Sequence, residues 1–74
     1  MFEYKLCESV ISADGRDEHN SFGIALYIDG VYSRRIDDIS FEREKVVGLI
    51  RLFNEEELDP VHFDQAVEDF LMYR

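Results

Sequence analysis

The sequence predicts a single α+β domain: a three-stranded antiparallel meander followed by two helices packed on one face (β-β-β-α-α). Apolar residues recur at every second position in the first half of the chain and at helical spacing in the second half. A length of 74 residues fits one domain, assigned here to residues 1–74. The hydrophobic fraction of 46% is sufficient for a packed core.

The first strand is predicted over residues 2–7, where apolar and polar side chains alternate. The alternation blurs at Glu8 and Ser9 before Val10 resumes it, which favours a β-bulge or a bend there. Residues 14–20 are polar and begin with an Asp-Gly pair. We therefore expect a loop over this stretch.

The second strand is predicted over residues 21–28, and the turn signal at residues 29–30 leads into the third. A two-residue turn would pair Ile28 with Val31, whereas a three-residue loop would pair Tyr27 with Val31. A slip of one residue exchanges the faces of a strand, so the loop length decides which side chains are buried. We favour the three-residue loop with Gly30 at positive φ. The face that this register groups together contains Phe22, Ile24, Leu26, Tyr32 and Ile36.

The first helix is expected to begin after Ser40, a good N-cap residue. Its apolar stripe consists of Val46, Leu49, Ile50 and Phe53, widened on its flanks by Val47 and Leu52. An arc of this breadth predicts contact with more than one neighbour. Asn54 and the acidic run after it are expected to end the helix.

The second helix opens with a complete start signal. Asp59 is the predicted N-cap and Pro60 the first helical residue, where a missing N–H costs nothing. Leu58 and Phe63 have the spacing of a hydrophobic staple. The stripe expected to face the core consists of Phe63, Ala66, Val67, Phe70 and Leu71.

Two helices can cover one face of a three-stranded sheet, which leaves the other face open to a partner. That face is predicted to be neither strongly apolar nor fully charged. The candidate interaction surface combines it with the flanks of the first helix: Lys5, Cys7, Ala25, Tyr27, Val31, Ser33, Val47 and Leu52.

The formal net charge of −9 restricts the partners of this chain. Such a surface repels phosphate backbones and anionic membranes, so we expect no direct binding to nucleic acid and no membrane association. Basic proteins would be attracted. A single cysteine and an N-terminus without the features of a signal peptide favour a reducing cytoplasm.

Three side chains are candidates for chemistry, namely His62, His19 and Cys7. His62 could act as a general base or metal ligand with Asp59 or Asp69, but the geometry favours a helix-start residue that is bonded locally. His19 lies in the polar stretch, and Cys7 would need a histidine brought close by the fold. No metal-ligand spacing, nucleotide-binding loop or nucleophile motif occurs, so we expect no metal, no cofactor and no enzyme.

Charged clusters offer two further interpretations. The doublet Arg34-Arg35 could capture an anion, although pairing with Asp37, Asp38 and Glu42 is favoured by the acid excess. An acidic surface on the helices could imitate a nucleic-acid strand and inhibit a basic partner. Its members are Glu55, Glu56, Glu57, Asp59, Asp64, Glu68 and Asp69.

Several short segments resemble a family of small bacterial proteins of unknown function, found mainly in Firmicutes. They are Phe22-Gly23-Ile24, Asp38-Ile39-Ser40, Pro60-Val61-His62 and Val67-Glu68-Asp69-Phe70-Leu71. The family pattern prefers tyrosine where this chain has Phe22. The resemblance implies a bacterial cytoplasmic protein and supplies no catalytic residue.

The function predicted first is therefore that of a non-enzymatic protein-interaction or regulatory module, with a homodimer as one form. The alternatives are the acidic nucleic-acid mimic and a small catalytic or metal site that uses His62, His19 or Cys7.

Overall fold

The structure, a computed structural model, describes residues 1–13 and 17–72. Three strands, β1 (Phe2–Ala13), β2 (Asp17–Ile28) and β3 (Val31–Ser40), form one antiparallel sheet in the order β1-β2-β3. Helix α1 (Arg43–Glu55), a 3₁₀ turn (Pro60–His62) and helix α2 (Phe63–Met72) follow. The predicted fold class is confirmed.

The strands β1 and β2 pair without interruption, from Phe2 opposite Ile28 to Ala13 opposite Asp17. The predicted bulge at Glu8 and Ser9 is therefore wrong. The predicted loop is wrong for residues 17–20, which are strand, while residues 14–16 lie outside the described part of the chain. Pairing with β1 satisfies the backbone here, and the exposed surface of the ribbon tolerates the polar side chains of residues 18–20.

The hairpin between β2 and β3 has the shorter of the two possible loops. Ile28 pairs with Val31, and both turn residues, Asp29 (φ 52°) and Gly30 (φ 83°), have positive φ. This is the backbone of a type I′ turn, whose twist matches that of the strands. The favoured three-residue loop is therefore wrong.

One extra residue in β3 then restores the predicted face for most of the strand. Tyr27 pairs with Tyr32, but Leu26 pairs with Arg34, so Ser33 forms a bulge. Beyond the bulge Ile36 pairs with Ile24 and lies on the core side, as predicted. Tyr32 instead lies beside Tyr27 on the other face, contrary to the prediction.

A second irregularity in β3 is accommodated by Gly23. Between the pairs Phe22–Ser40 and Ile24–Ile36, three residues of β3 stand opposite this single glycine. A Cβ atom at position 23 would collide with the carbonyl oxygen of Ile36 and lie 3.0 Å from the Cα of Asp37. Glycine therefore allows the two backbones to approach, which is a known role for glycine within strands.

Helix α1 begins two residues later than predicted. Its N-cap is Glu42, which makes no side-chain capping bond, and Ser40 still belongs to β3. The Ser40 hydroxyl accepts a hydrogen bond from the Glu42 N–H (3.0 Å), so it closes the turn before the helix instead of capping it.

The end of α1 is a Schellman motif, with Glu57 (φ 51°) in the left-handed position. The N–H of Leu58 donates to the Phe53 carbonyl (3.0 Å), and the N–H of Glu57 donates to the Asn54 carbonyl (3.3 Å). Asp59 then caps the 3₁₀ turn by accepting from the Val61 N–H (3.0 Å), which confirms the predicted start signal.

A cluster of aromatic rings joins the helices to the sheet. Tyr4 of β1 packs edge-on against Phe53 of α1 (5.3 Å between ring centroids) and against Phe63 of α2 (5.2 Å). The Tyr4 hydroxyl donates to the Leu58 carbonyl (2.7 Å). The fully buried aliphatic residues around this cluster are Ile24, Leu26, Ile39, Val46 and Val67.

Candidate functional site

The three candidate catalytic side chains lie apart in the fold. His19 and Cys7 belong to the β1–β2 ribbon, where Cys7 pairs with Gly23, four positions from His19. That offset corresponds to about 13 Å along a strand. His62 lies in the 3₁₀ turn of the helical layer, whereas Cys7 shares the opposite sheet face with Lys5 and Ala25. Within residues 1–13 and 17–72, no group of three histidine, cysteine, aspartate or glutamate side chains could hold a metal ion.

The environment of Cys7 disfavours the thiolate. Partial burial raises the pKa of the Cys7 thiol, and the negative charge of Asp37 raises it further, against an opposing effect of Arg35. The thiol lies 3.8 Å from a carboxylate oxygen of Asp37, which accepts its weak hydrogen bond. Nucleophilic cysteines have the reverse arrangement, in which nearby positive charge lowers the pKa.

We define the outer sheet face as the face that carries Lys5, Cys7, Ala25 and Tyr27. Most of its side chains contact one another. The Lys5 ammonium lies 4.7 Å from the centre of the Tyr27 ring and 3.7 Å from a carboxylate oxygen of Glu3. Ala25 is buried between the long side chains of Lys5 and Arg35.

The pairing of β3 does not place Val31 and Ser33 on the outer sheet face as predicted. Val31 pairs with Ile28 and therefore points to the core side of the sheet, although it is 68% exposed at the strand end. Ser33 is the bulge residue. The position of Val31 follows from the two-residue turn, and that of Ser33 from the bulge.

The arginine doublet serves the fold. Arg34 reaches from β3 to the start of α2, where its guanidinium donates to an Asp64 carboxylate oxygen (2.7 Å) and to the Pro60 carbonyl (2.9 Å). It also lies over the ring of Phe63, 5.0 Å from the ring centre. Arg35 pairs with Asp37 (3.2 Å), as predicted for this position.

An apolar groove of about 380 Å³ lies between α1 and α2. We refer to it as the helix groove. Leu49 and Leu52 of α1 form one wall, Ala66 and Phe70 of α2 form the other, and Phe53 and Leu58 complete the apolar lining. Leu52 is 47% exposed, whereas Leu49, Ala66 and Phe70 are half-buried against the core.

Acidic side chains border the helix groove. Glu56 lines it from the end of α1 and Asp69 from α2. Neither carboxylate forms an ion pair within the described residues, and the same holds for Glu55, Glu57 and Glu68. The other two acids of the proposed nucleic-acid mimic are engaged, since Asp59 caps a turn and Asp64 binds Arg34.

The sequence predicts the walls of the helix groove as core stripes but does not predict the groove itself. The one usable signal was the width of the apolar arc on α1, which predicted a second neighbour and placed Leu52 at its edge. The small side chain of Ala66 also helps to explain why a groove is present. A small side chain faces the two leucines there, so the helices do not fill the space between them.

Comparison with protein-family models places this fold in a known family without a known role. Residues 1–72 match the model of a family of unknown function, DUF6514, and the chain belongs to that family. Neither the comparison with curated proteins nor that with solved structures found a match. No helix among the described residues has the length and apolar character needed to cross a membrane.

Proposed function

We propose that this protein is a non-enzymatic protein-interaction module of the bacterial cytoplasm and that its partner binds in the helix groove. The observation that carries the proposal is the combination of an apolar lining with exposure at the surface. Leu52 keeps nearly half of its surface in contact with water at the mouth of the groove. Covering such a surface with a partner releases that water, which is favourable by about 25 cal/mol per Å² of apolar area.

The helix groove suits a partner better than the outer sheet face does. On the outer sheet face, the charged groups of Lys5 and Arg35 already have acidic or aromatic neighbours. A partner there would have to displace those contacts or leave them buried, and burial of charge is costly. The walls of the helix groove are apolar, and the acids that border it, Glu56 and Asp69, have no basic partner to displace among the described residues.

The proposal is tested by affinity capture from lysate of the native cells, with the wild-type protein, Leu52→Asp and Val61→Asp as baits. Val61 is 75% exposed and lies outside the helix groove, so its substitution is a matched control for a charge placed on an exposed apolar residue. Circular dichroism establishes that both variants are folded.

We expect a protein that is retained by the wild type and by Val61→Asp and is lost with Leu52→Asp. Equal capture by all three baits, or equal loss with both variants, would show that the helix groove is not the binding site.

A further inference from the structure

We infer, on the basis of the proposed function, that the occupant of the helix groove is an amphipathic helix with basic residues on both sides of its apolar stripe. The structure supplies two independent arguments, one from the geometry of the walls and one from the charge of the rim.

The walls of the helix groove favour a helix over a strand. Both walls are α-helices, whose backbone groups are bonded within each helix, so no row of unpaired N–H and C=O groups is offered to an added strand. A helical partner satisfies its own backbone and needs only side-chain contacts. On α1 the apolar lining runs from Leu49 to Phe53, a rise of about 6 Å, which equals the i to i+4 spacing of a bound helix.

The rim of the helix groove selects the charge of the partner. Glu56 and Asp69 line it, and Glu55, Glu57 and Glu68 lie beside them in sequence, all without a basic partner among the described residues. Lysine or arginine residues flanking the apolar stripe of a bound helix would meet these carboxylates. Charge complementarity of this kind accelerates association and excludes acidic competitors.

A second copy of this chain is a poor occupant for the same reason. Each copy carries a formal charge of −9. The exposed face of α2 carries Asp64, Glu68 and Asp69, so a copy that offered this helix would bring acids against acids. Like charges brought together at an interface disfavour association.

The direct test measures the binding of synthetic peptides by fluorescence anisotropy at low salt. The probe is a 15-residue peptide of leucine and lysine with leucines at helical i, i+3, i+4 and i+7 spacing. One comparison peptide has the same composition with the leucines scrambled off a single face, and a second replaces every lysine with glutamate.

Two double variants of the protein carry the charge argument. Glu56→Lys/Asp69→Lys reverses the rim, whereas Glu8→Lys/Glu18→Lys makes the same change in net charge on the β1–β2 ribbon. We expect binding of the leucine–lysine probe to weaken by about tenfold or more with the first and by less than about twofold with the second. The scrambled peptide should bind the wild type at least about tenfold more weakly than the probe does.

The outcomes separate the two proposals. If the glutamate peptide binds more tightly than the lysine peptide, and Leu52→Asp abolishes that binding, the basic-helix inference is wrong while the helix groove remains a binding site. If the scrambled peptide binds as well as the probe, or both double variants weaken binding equally, the attraction is non-specific and the inference is overturned. If Leu52→Asp changes the affinity of no peptide, the helix groove is not the binding site, and both the inference and the proposed function are wrong.

Discussion

At the scale of single residues, the environment of Cys7 disfavours the thiolate, which is the nucleophilic form. The Asp37 carboxylate and partial burial both favour the protonated form. We therefore predict that Asp37→Asn increases the rate of alkylation of Cys7 by iodoacetamide several-fold at neutral pH, because it removes a negative charge and leaves Arg35 unopposed.

Asp38→Asn is the matched control, since Asp38 has no part in the described contacts of the thiol. An unchanged rate with Asp37→Asn, or an equal increase with Asp38→Asn, would contradict this account of the thiol.

Tyr4 makes stability depend on pH in the alkaline range. Burial raises the pKa of the Tyr4 phenol, and the charge of Asp59 raises it further, while Arg34 opposes both. The folded protein therefore binds the phenolic proton more tightly than the unfolded chain. Its contribution to stability is complete below the ordinary tyrosine pKa of about 10 and is lost as the pH rises through the higher folded-state value.

We predict that Tyr4→Phe costs about 1 kcal/mol at neutral pH, because the Leu58 carbonyl loses its donor. Above about pH 10 the variant should lose stability less steeply than the wild type. Urea denaturation at a series of pH values measures both effects. The control is Tyr32→Phe, at an exposed tyrosine, which should leave the neutral-pH stability unchanged. A wild-type slope in Tyr4→Phe would refute the assignment.

At the scale of elements, the close approach of β2 and β3 depends on Gly23. We predict that Gly23→Ala destabilises the protein by about 1–3 kcal/mol, because the new methyl group collides with the backbone of Ile36. Gly48→Ala on α1 is the control with the opposite sign. A Cβ atom there meets nothing within 4 Å, and alanine is the better helix former by roughly 1 kcal/mol. Thermal denaturation of both variants should give shifts of opposite direction, and equal shifts would contradict the packing described for β3.

A side-chain amide covers the open edge of β1 at Tyr4. The Tyr4 N–H donates to the Asn54 carboxamide oxygen (2.9 Å), and the Asn54 amide group donates to the Tyr4 carbonyl (3.0 Å). Asn54 thus satisfies both backbone groups of Tyr4, which a neighbouring strand would otherwise pair with at this point of the edge. Covered edges resist association through strand addition.

Local signals predicted the order of elements and the start of the second helix, because alternation, helical spacing and the Asp59-Pro60 pair depend on neighbouring residues alone. They failed where the answer depends on distant residues. The strand at residues 17–20 exists because β1 pairs with it, not because of its own side chains. The hairpin register was predicted wrongly because two effects cancel. The two-residue turn alone would place Ile36 on the outer sheet face, and the bulge at Ser33 returns it to the core.

The candidate site was less predictable than the fold. The sequence identified Leu49, Ala66 and Phe70 as core residues, and they do contact the core. Whether two core stripes also leave a space between them depends on how the helices pack on the sheet. The periodicity of the sequence gives no information about that packing. For the same reason the outer sheet face was predicted as the interaction surface. The contact between Lys5 and Tyr27 that occupies this face depends on strand pairing and is not visible in the sequence pattern.

At the scale of the whole molecule, the outer sheet face and the helical layer differ in how their charged side chains are paired. The outer sheet face mixes acids and bases that neutralise one another, whereas the acids beside the helix groove have no ion-pair partner among residues 1–13 and 17–72. Self-association through the outer sheet face stays a prediction. The helical layer is better suited than the outer sheet face to bind a partner of opposite charge.

The most direct measurement is site-specific photo-crosslinking in the native cells, with benzoylphenylalanine placed at position 52, 27 or 61 in turn. Position 52 reports on the helix groove, 27 on the outer sheet face and 61 on an exposed apolar position outside both. We predict a discrete protein adduct from position 52 and none from position 61. Adducts from position 27 without one from position 52, or the same adducts from all three positions, would contradict it.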